Sequence, residues 1–299
     1  MRVFLTGATG WVGSAIAPQL INAGHRVLGL ARNDAAAQKL KDAGVEVHRG
    51  DLEDLDSLRR GVAATDAVIH TAFIHDFANF KAVCEIEKRA IEALGSALVG
   101  SERPLLITSG TALVTPSRLA TENDESVFTP ADFPRVATEH AAIALAERGV
   151  RISWIRLSPS VHGEGDHGFV PMLIQIARDK GVSAFVGDGL NRWTAVHRLD
   201  AGHLYRLALE KGAPGTRYHA VDEEGIAFRD IAAIIGSRLN IPVVSKSPQD
   251  AVDHFGWFVR FAQIDSPASS KLTQERLGWK PTQPGLLAEL EHSARYFQE

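Results

Sequence analysis

The stretch Arg2-Val-Phe-Leu-Thr-Gly-Ala-Thr-Gly-Trp-Val-Gly13 decides how the rest of the sequence is interpreted. Its apolar run at positions 3 to 5 is typical of a strand that is buried on both faces. Glycines follow at positions 7, 10 and 13, where the backbone can take positive φ and approach a ligand without a Cβ in the way. The pattern predicts a strand, a tight turn and a helix.

The predicted helix begins near Gly10 or Trp11, and its first amide groups and positive dipole end would face whatever lies over the turn. A pyrophosphate fits such a place. The spacing Gly7-x-x-Gly10-x-x-Gly13 differs from the usual G-x-G-x-x-G turn, and a glycine-rich turn that binds nothing is the alternative. The predicted strands and helices that follow favour a turn that binds a nucleotide.

Apolar strand-like runs then alternate with helix-like segments. Because such alternation implies right-handed crossovers, we predict an α/β fold with a doubly wound, Rossmann-type parallel sheet. Pro18 lies inside the first helix and predicts either a kink or unusually close packing there. The predicted strands cover residues 26–32, 45–49, 67–70, 105–108 and 151–157, and the predicted helices cover 33–43, 55–61, 77–99 and 135–148.

After residue 158 the sequence is punctuated by Gly and Pro, which predicts a dinucleotide-binding domain over 1–158 and a smaller, irregular substrate-binding lobe over 159–299. Some segments of the second part are expected to return to the first domain. Phe169 and Trp193 could line an apolar pocket in this lobe or belong to its core. Helices are predicted at 169–180, 199–211, 228–239 and 285–297, with strands near 184 and 193.

The composition limits the possible partners. The chain has 299 residues, of which 45% are hydrophobic and 23% charged, with a net charge of −4, so no basic surface for nucleic acid is implied. No apolar run is long enough to span a membrane. The single Cys84 points to a reducing compartment, and we expect a cytoplasmic protein.

Several segments resemble an extended short-chain dehydrogenase/reductase, the class that holds NAD(P)-dependent epimerases, dehydratases and ketoreductases. The matching segments are Thr6–Gly13, Gly50–Leu52, His70–Ala72 and Pro159–Gly163, and residues 187–200 are similar to the substrate-lobe signature of that class. The resemblance covers essentially the whole chain and implies a small-molecule substrate. It also implies cofactor contacts at Gly7, Thr9, Gly10, Trp11, Val12, Gly13, Asp51, Leu52, Thr71, Ala72, Thr108 and Pro159.

The end of the second predicted strand favours NADP(H) over NAD(H). An acid at this place binds the adenosine ribose hydroxyls, whereas an arginine accommodates a 2′-phosphate. The sequence has Arg32 there, with Asp34 displaced into the next helix. A merely solvated surface charge is the alternative interpretation of Arg32.

The resemblance has one departure, because carbonyl reduction in this class uses a Tyr-x-x-x-Lys pair. None of the three tyrosines, at positions 205, 218 and 296, is followed by lysine at that spacing. Arg135 falls in the place of the tyrosine and Glu139 in that of the lysine. A guanidinium does not titrate in proteins, so Arg135 could polarise a carbonyl or clamp an acid but not donate a proton. Glu139 could accept a hydrogen bond from a ribose hydroxyl.

Other side chains are candidates for the missing hydroxyl and proton donor. The usual serine position holds Gly110, which leaves Ser109 and Thr111 as neighbours. His162 follows the cofactor-facing Pro159, and His75 follows the fourth strand, although loop histidines often only form local hydrogen bonds. The acids near His162 lack the spacing of a metal site, and we expect none.

The leading hypothesis is an atypical short-chain dehydrogenase/reductase that uses NADP(H) on a small carbonyl or alcohol substrate. A sugar-nucleotide epimerase or dehydratase and a non-catalytic NADP(H)-binding redox sensor are the alternatives. Apolar faces on the helices at 77–99 and 135–148 could form a homodimer, or could pack against the protein's own sheet.

Overall fold

A computed structural model describes residues 1–298. It contains twelve strands and twelve α-helices, with short 3-10 helices at 111–113, 256–258 and 295–297. The strands are β1 (Arg2–Thr6), β2 (Arg26–Ala31), β3 (Glu46–Arg49), β4 (Ala67–His70), β5 (Leu105–Gly110), β6 (Ile152–Leu157), β7 (Ser160–His162), β8 (Ser183–Val186), β9 (Arg192–His197), β10 (Arg217–Ala220), β11 (Glu223–Ala227) and β12 (Val243–Lys246). The helices are α1 (Gly13–Asn22), α2 (Asp34–Asp42), α3 (Leu55–Ala63), α4 (Phe80–Ser96), α5 (Val136–Glu147), α6 (Phe169–Lys180), α7 (Arg198–Lys211), α8 (Phe228–Leu239), α9 (Pro248–Phe255), α10 (Val259–Ala262), α11 (Lys271–Leu277) and α12 (Leu286–His292).

The main sheet has seven strands in the order β10-β6-β5-β4-β1-β2-β3, and every neighbouring pair is parallel. Helices cover both of its faces, so the predicted doubly wound α/β fold is confirmed. The strand order reverses between β1 and β4, which places a crevice at the carboxyl ends of these two strands. The glycine turn after β1 lies at this crevice.

Two predicted helices are shorter in the structure. The helix predicted over 285–297 ends at His292, because Ser293 takes an extended conformation, and a separate 3-10 turn follows it. The helix predicted from residue 77 begins at Phe80, so residues 71–79 form a loop that leaves the carboxyl end of β4. This loop carries several aromatic side chains at the edge of the crevice.

One face of the sheet is covered by α1 and α7, which pack closely together. A Cβ built on Gly202 of α7 would lie 2.7 Å from the backbone oxygen of Ala15 in α1. The first helix continues through Pro18, whose ring lies on the exposed side. The helix is therefore not broken at the proline.

The other face is covered by α3, α4 and α5. The apolar faces predicted on the helices at 77–99 and 135–148 include Cys84, Ile91, Leu94 and Leu145, and these side chains are buried within the chain. Ile91, Leu94 and Leu145 belong to the core cluster that also contains Phe4 of β1. These apolar faces therefore pack against the protein's own sheet, and a homodimer stays a prediction.

The smaller lobe contains a three-stranded sheet in the order β11-β9-β7 and a parallel pair formed by β12 and β8. Trp193 is fully buried in its core, against Phe228 and Phe258, so packing accounts for this tryptophan. Residues 217–220 return to the main sheet as β10 beside β6. Among residues 1–298, no helix has the length and apolar character that crossing a membrane requires.

The contact between α1 and α7 predicts that Gly202→Ala lowers the free energy of unfolding by about 1–3 kcal/mol, because the added methyl group meets rigid backbone. Gly110→Ala is the matched control, since a Cβ there meets only the oxygen of Leu157, at 3.7 Å, and φ is −138°. Urea unfolding of both variants measures the difference. Equal midpoints for the two variants would contradict the prediction.

Candidate cofactor and active site

The turn after β1 has no room for side chains at two of its glycines. Gly7 has φ +71°, and a Cβ there would lie 2.7 Å from the backbone nitrogen of Ala72. A Cβ on Gly13 would lie 2.1 Å from the backbone oxygen of Gly7. The turn is closed by a hydrogen bond of 2.8 Å from the Gly10 amide to the Gly7 oxygen. Glycine is therefore required for the strand and the helix to approach this closely.

The start of α1 is suited to an anionic group. The amides of Trp11 and Val12 donate no backbone hydrogen bond within residues 1–298, and no side chain caps this helix. Unsatisfied amides at the positive end of a helix dipole are the donors that a pyrophosphate accepts from. The exposed Thr9 and Gly10 leave the approach to these amides open. The geometry therefore fits the pyrophosphate of a dinucleotide.

Trp11 connects the glycine turn to the smaller lobe. Its indole Nε1 donates a hydrogen bond of 2.6 Å to the backbone oxygen of Val161 in β7. The guanidinium of Arg198 lies 4.1 Å from the centre of the indole, and the ring of His167 meets it edge to face. Trp11 thus packs between the two lobes above the turn.

The carboxyl ends of β2 and β3 bring two arginines to the same edge. Arg32 directly follows β2, is exposed, and forms no ion pair within the part of the chain that the structure describes. Arg49 ends β3 beside Ala31 and forms an ion pair with Asp34. Sequence reasoning missed Arg49, although its position just before Gly50-Asp51 placed it at the end of a predicted strand.

The remaining predicted cofactor residues lie along the carboxyl edge of the sheet. Thr71 donates a hydrogen bond of 2.8 Å to the Thr6 oxygen, and Ala72 contacts the glycine turn. The hydroxyl of Thr108 donates to the His70 oxygen and pairs with the hydroxyl of Tyr205 at 2.6 Å. Further along this edge, Asp51 accepts a hydrogen bond from the Glu53 amide, and the neighbouring Leu52 is buried. Pro159 is half-buried and lies between β6 and β7.

Arg135 lies just before α5 and is held by a carboxylate from α4. Its Nη2 donates a hydrogen bond of 2.9 Å to Glu87, and its guanidinium lies 4.0 Å from the centre of the Phe73 ring. Burial raises the pKa of Glu87 to about 7, although the positive charge of Arg135 acts to lower it. Burial, assisted by Arg135, lowers the pKa of His70 to about 3, so this imidazole is neutral. Glu87 was missed, although it interrupts the apolar face of a predicted helix.

Glu139 forms a second buried ion pair, with Arg156 of β6. Two hydrogen bonds, of 2.9 and 2.8 Å, join the guanidinium to both carboxylate oxygens, and Ser109 donates a third, of 2.6 Å. Burial disfavours the charged carboxylate, but Arg156 outweighs it and holds the pKa of Glu139 below its usual value. Arg156 was also missed, although an arginine within the apolar run of β6 was a visible signal. The predicted ribose contact of Glu139 stays a prediction.

The other catalytic candidates are buried and already paired. The hydroxyl of Thr111 lies 3.0 Å from that of Thr194 in β9. Nδ1 of His162 pairs with Glu289 of α12, and its ring meets that of His197 edge to face. Arg135 and Ser109 are thus tied into ion-pair networks of the dinucleotide domain, whereas Thr111 and His162 contact the smaller lobe.

Comparisons with known proteins agree with this architecture. The sequence profile described as the NAD dependent epimerase/dehydratase family matches residues 3–221. An uncharacterized protein of Schizosaccharomyces pombe is 52% identical over 298 residues, which cover 99% of this chain and 100% of the relative. The 4-hydroxy-2-methyl-3-oxo-4-farnesyl-3,4-dihydroquinoline-1-oxide ketoreductase of Stigmatella aurantiaca is 24% identical, with coverage of 90% and 84%.

A solved structure also resembles the chain. The dTDP-glucose 4,6-dehydratase of Streptomyces venezuelae, a double mutant with bound NAD, superposes with a TM-score of 0.79 at 20% identity. The match covers 99% of this chain and 97% of the dehydratase. At this identity the likeness supports the fold, whereas the family match also confirms the resemblance derived from the sequence motifs.

The buried pair predicts that Glu139→Ala lowers the free energy of unfolding by about 3–5 kcal/mol, because Arg156 is left buried without a counter-ion. The control is Glu102→Ala, which breaks the exposed pair with Arg151 and should cost about 0–1 kcal/mol. Urea unfolding at neutral pH compares the two variants. Equal losses would show that the buried pair contributes no more than an exposed one.

Proposed function

The chain belongs to the NAD dependent epimerase/dehydratase family, and from that premise we propose that it is an NADP(H)-dependent oxidoreductase acting on a small carbonyl or alcohol substrate. The family binds a nicotinamide cofactor. The observation that carries the choice of NADP(H) is the placement of two guanidiniums, those of Arg32 and Arg49, at the ends of adjacent strands. The bound dinucleotide would supply the hydride chemistry at its nicotinamide.

Two guanidiniums favour a 2′-phosphate for an electrostatic reason. Asp34, which begins α2, pairs with Arg49, so it is not an unopposed partner for ribose hydroxyls. Arginine donors form charge-assisted hydrogen bonds with phosphate oxygens, which are stronger than bonds between neutral groups. Arg32 would bind the extra phosphate directly, and Arg49 would add to the positive potential beside it.

Arg135 is the residue that we assign to the substrate oxygen. It occupies the place of the family's tyrosine, and its planar donors would stabilise the negative charge that develops on a carbonyl oxygen during reduction. Because it cannot donate its proton, the product oxygen must take a proton from elsewhere. Ser109, Thr111 and His162, acting through a water molecule, are the proposed routes for this proton.

Carbonyl reduction is favoured over sugar-nucleotide epimerisation or dehydration. Those reactions also depend on the tyrosine of the Tyr-x-x-x-Lys pair, which this sequence lacks. In addition, epimerases of the class tend to retain NAD, and Arg32 disfavours NAD at this site. The Stigmatella aurantiaca relative is a ketoreductase by name, which supports the reductive alternative. A redox sensor without catalysis would need only the cofactor site, so turnover separates it from the proposal.

The proposed phosphate site predicts that Arg32→Ala weakens NADPH binding by about tenfold to a hundredfold, because a charge-assisted hydrogen bond is lost. NADH binding should change by less than about twofold, since NADH has no 2′-phosphate. Arg89→Ala, at an exposed arginine on α4, is the control. Calorimetric titration with both cofactors measures the effect. Equal weakening for NADPH and NADH would refute the assignment of Arg32.

The role of Arg135 predicts that Arg135→Met lowers kcat for carbonyl reduction by about 100- to 1,000-fold, as loss of an oxyanion donor does.

Glu87 should act as a positioning residue, since its carboxylate neutralises Arg135 only when charged. For the parent protein, kcat/KM should therefore rise as the pH falls through about 7, and Glu87→Gln should remove this dependence. Loss of NADPH absorbance with a panel of aldehydes and ketones measures both effects.

Three outcomes of this assay have different meanings. Tight NADPH binding without turnover of any carbonyl compound would replace the proposal by the sensor. Turnover that Arg135→Met leaves unchanged would contradict the role of Arg135 alone. An unchanged pH profile in Glu87→Gln would contradict the coupling between the two side chains.

A further inference from the structure

The residues that follow α12 pack against the loop between β7 and α6. This loop covers residues 163–168 and is referred to below as the β7–α6 loop. It contains three glycines, of which Gly163 and Gly165 have φ of +146° and +83°. Two internal hydrogen bonds shape it, from the Asp166 amide to the Gly163 oxygen at 3.0 Å and from the Gly168 amide to the Asp166 carboxylate at 2.7 Å.

Tyr296, in the last 3-10 turn, holds this loop through its hydroxyl. The Gly163 amide donates a hydrogen bond of 3.1 Å to the hydroxyl, and the Gly163 oxygen and the Asp166 carboxylate, each at 3.2 Å, are the acceptors for its proton. Arg295 adds an exposed ion pair with Glu164. The segment after α12 thus fixes both the backbone and a side chain of the β7–α6 loop.

The β7–α6 loop in turn lies against Trp11. The ring of His167 meets the indole edge to face with the centroids 5.4 Å apart, and a Cβ built on Gly165 would lie 3.9 Å from the indole. A Cβ built on Gly163 would lie 2.9 Å from Cγ of Arg198, whose guanidinium covers the same indole at 4.1 Å. Contacts therefore run from the residues after α12, through the loop, to Trp11.

Trp11 connects these contacts to the proposed cofactor. Its amide is one of the two at the start of α1 that donate no backbone hydrogen bond within residues 1–298 and that fit a pyrophosphate. Contacts that hold the indole also hold the backbone that bears it, and so keep the amide in direction. Conversely, an anion bound to this amide would hold Trp11 in place and favour the loop position that packs on it. Cofactor binding and closure of the loop therefore stabilise each other.

We propose that Tyr296 is a positioning residue of the cofactor site: its hydroxyl holds the β7–α6 loop closed on Trp11, and release of the nucleotide requires this contact to open. The inference rests on the cofactor site of the proposed function and adds to it a residue from the segment after α12. Because the pyrophosphate is common to both nicotinamide nucleotides, the effect is the same for NADP(H) and NAD(H).

The test is Tyr296→Phe, which keeps the ring and removes the hydroxyl. Stopped-flow fluorescence follows the release of NADPH after its complex is mixed with excess NADP⁺. Release should be about 5- to 150-fold faster in the variant, since two hydrogen bonds are lost and each contributes a factor of about 2 to 12. Calorimetric titration should show Kd for NADPH and for NADH rising by the same factor.

Tyr218→Phe is the matched control. It removes another tyrosine hydroxyl, which accepts a hydrogen bond of 2.9 Å from the Ala213 amide, in the edge strand β10 of the main sheet. Its melting temperature should fall because this hydrogen bond is lost, but NADPH release should change by less than about twofold. The control thereby separates a general loss of stability from a loss of positioning.

The coupling also predicts the reciprocal effect. Binding of NADPH to the parent protein should slow hydrogen exchange of the amides in residues 163–168, because the bound nucleotide favours the closed loop. In Tyr296→Phe this protection should be weaker by the same factor as the affinity. Protection that is equal in the two proteins would contradict the coupling.

The outcomes separate this inference from the proposed function. Equal rates of release from the parent and from Tyr296→Phe, with NADPH bound tightly by both, would overturn the role of Tyr296 and leave the proposed function standing. Faster release to the same extent in Tyr218→Phe would also overturn it, because lost stability would then account for the effect. If neither nucleotide binds to the parent protein, the proposed function itself fails.

Discussion

The constraint on which the rest of the structure depends is the close contact of backbone with backbone at the glycine turn. The Gly7 oxygen occupies the space that a Cβ of Gly13 would need, and the Gly7 Cα faces the chain that leaves β4. This contact brings the start of α1 to the crevice between β1 and β4, where the sheet order reverses. The direction of the helix, and therefore the position of its unpaired amides, follows from glycine being the only residue that fits.

Two ion pairs involve residues at and just before α5, where the sequence resemblance leads one to expect the Tyr-x-x-x-Lys motif. Arg135 is predicted to fall in the place of the tyrosine and Glu139 in that of the lysine, and each has a counter-ion from another element. Glu87 reaches Arg135 from α4, and Arg156 reaches Glu139 from β6. Neither charge could be buried alone, because an unpaired ion in the protein interior is strongly disfavoured. Arg135 and Glu139 are thus coupled to residues far from them in the sequence.

The interface between the lobes combines a polar and an apolar part. Trp11 donates to the backbone of Val161 in β7 and is covered by Arg198, so the smaller lobe is anchored directly above the glycine turn. Farther out, ring contacts of Phe77 with Trp257 and Phe261 join the lobes. Hydrogen bonds fix one end of the interface in direction, whereas ring stacking at the other end tolerates a change in spacing because it is less directional.

The sequence by itself determined the doubly wound sheet, the glycine turn and the family, because these depend on local signals: apolar runs, glycines at set spacing and short motifs. It predicted the bounds of α6 and α8. Only the tertiary structure decided the partners of the charged residues, such as Glu87 with Arg135, and the assembly of Phe77 with Trp257, which are 180 residues apart. It also revealed short strands such as β10, whose Arg-Tyr-His-Ala sequence has no apolar run. The physical reason is that burial and pairing are properties of neighbours in space, and the crossovers of the fold bring together residues whose separation in the sequence carries no periodic signal.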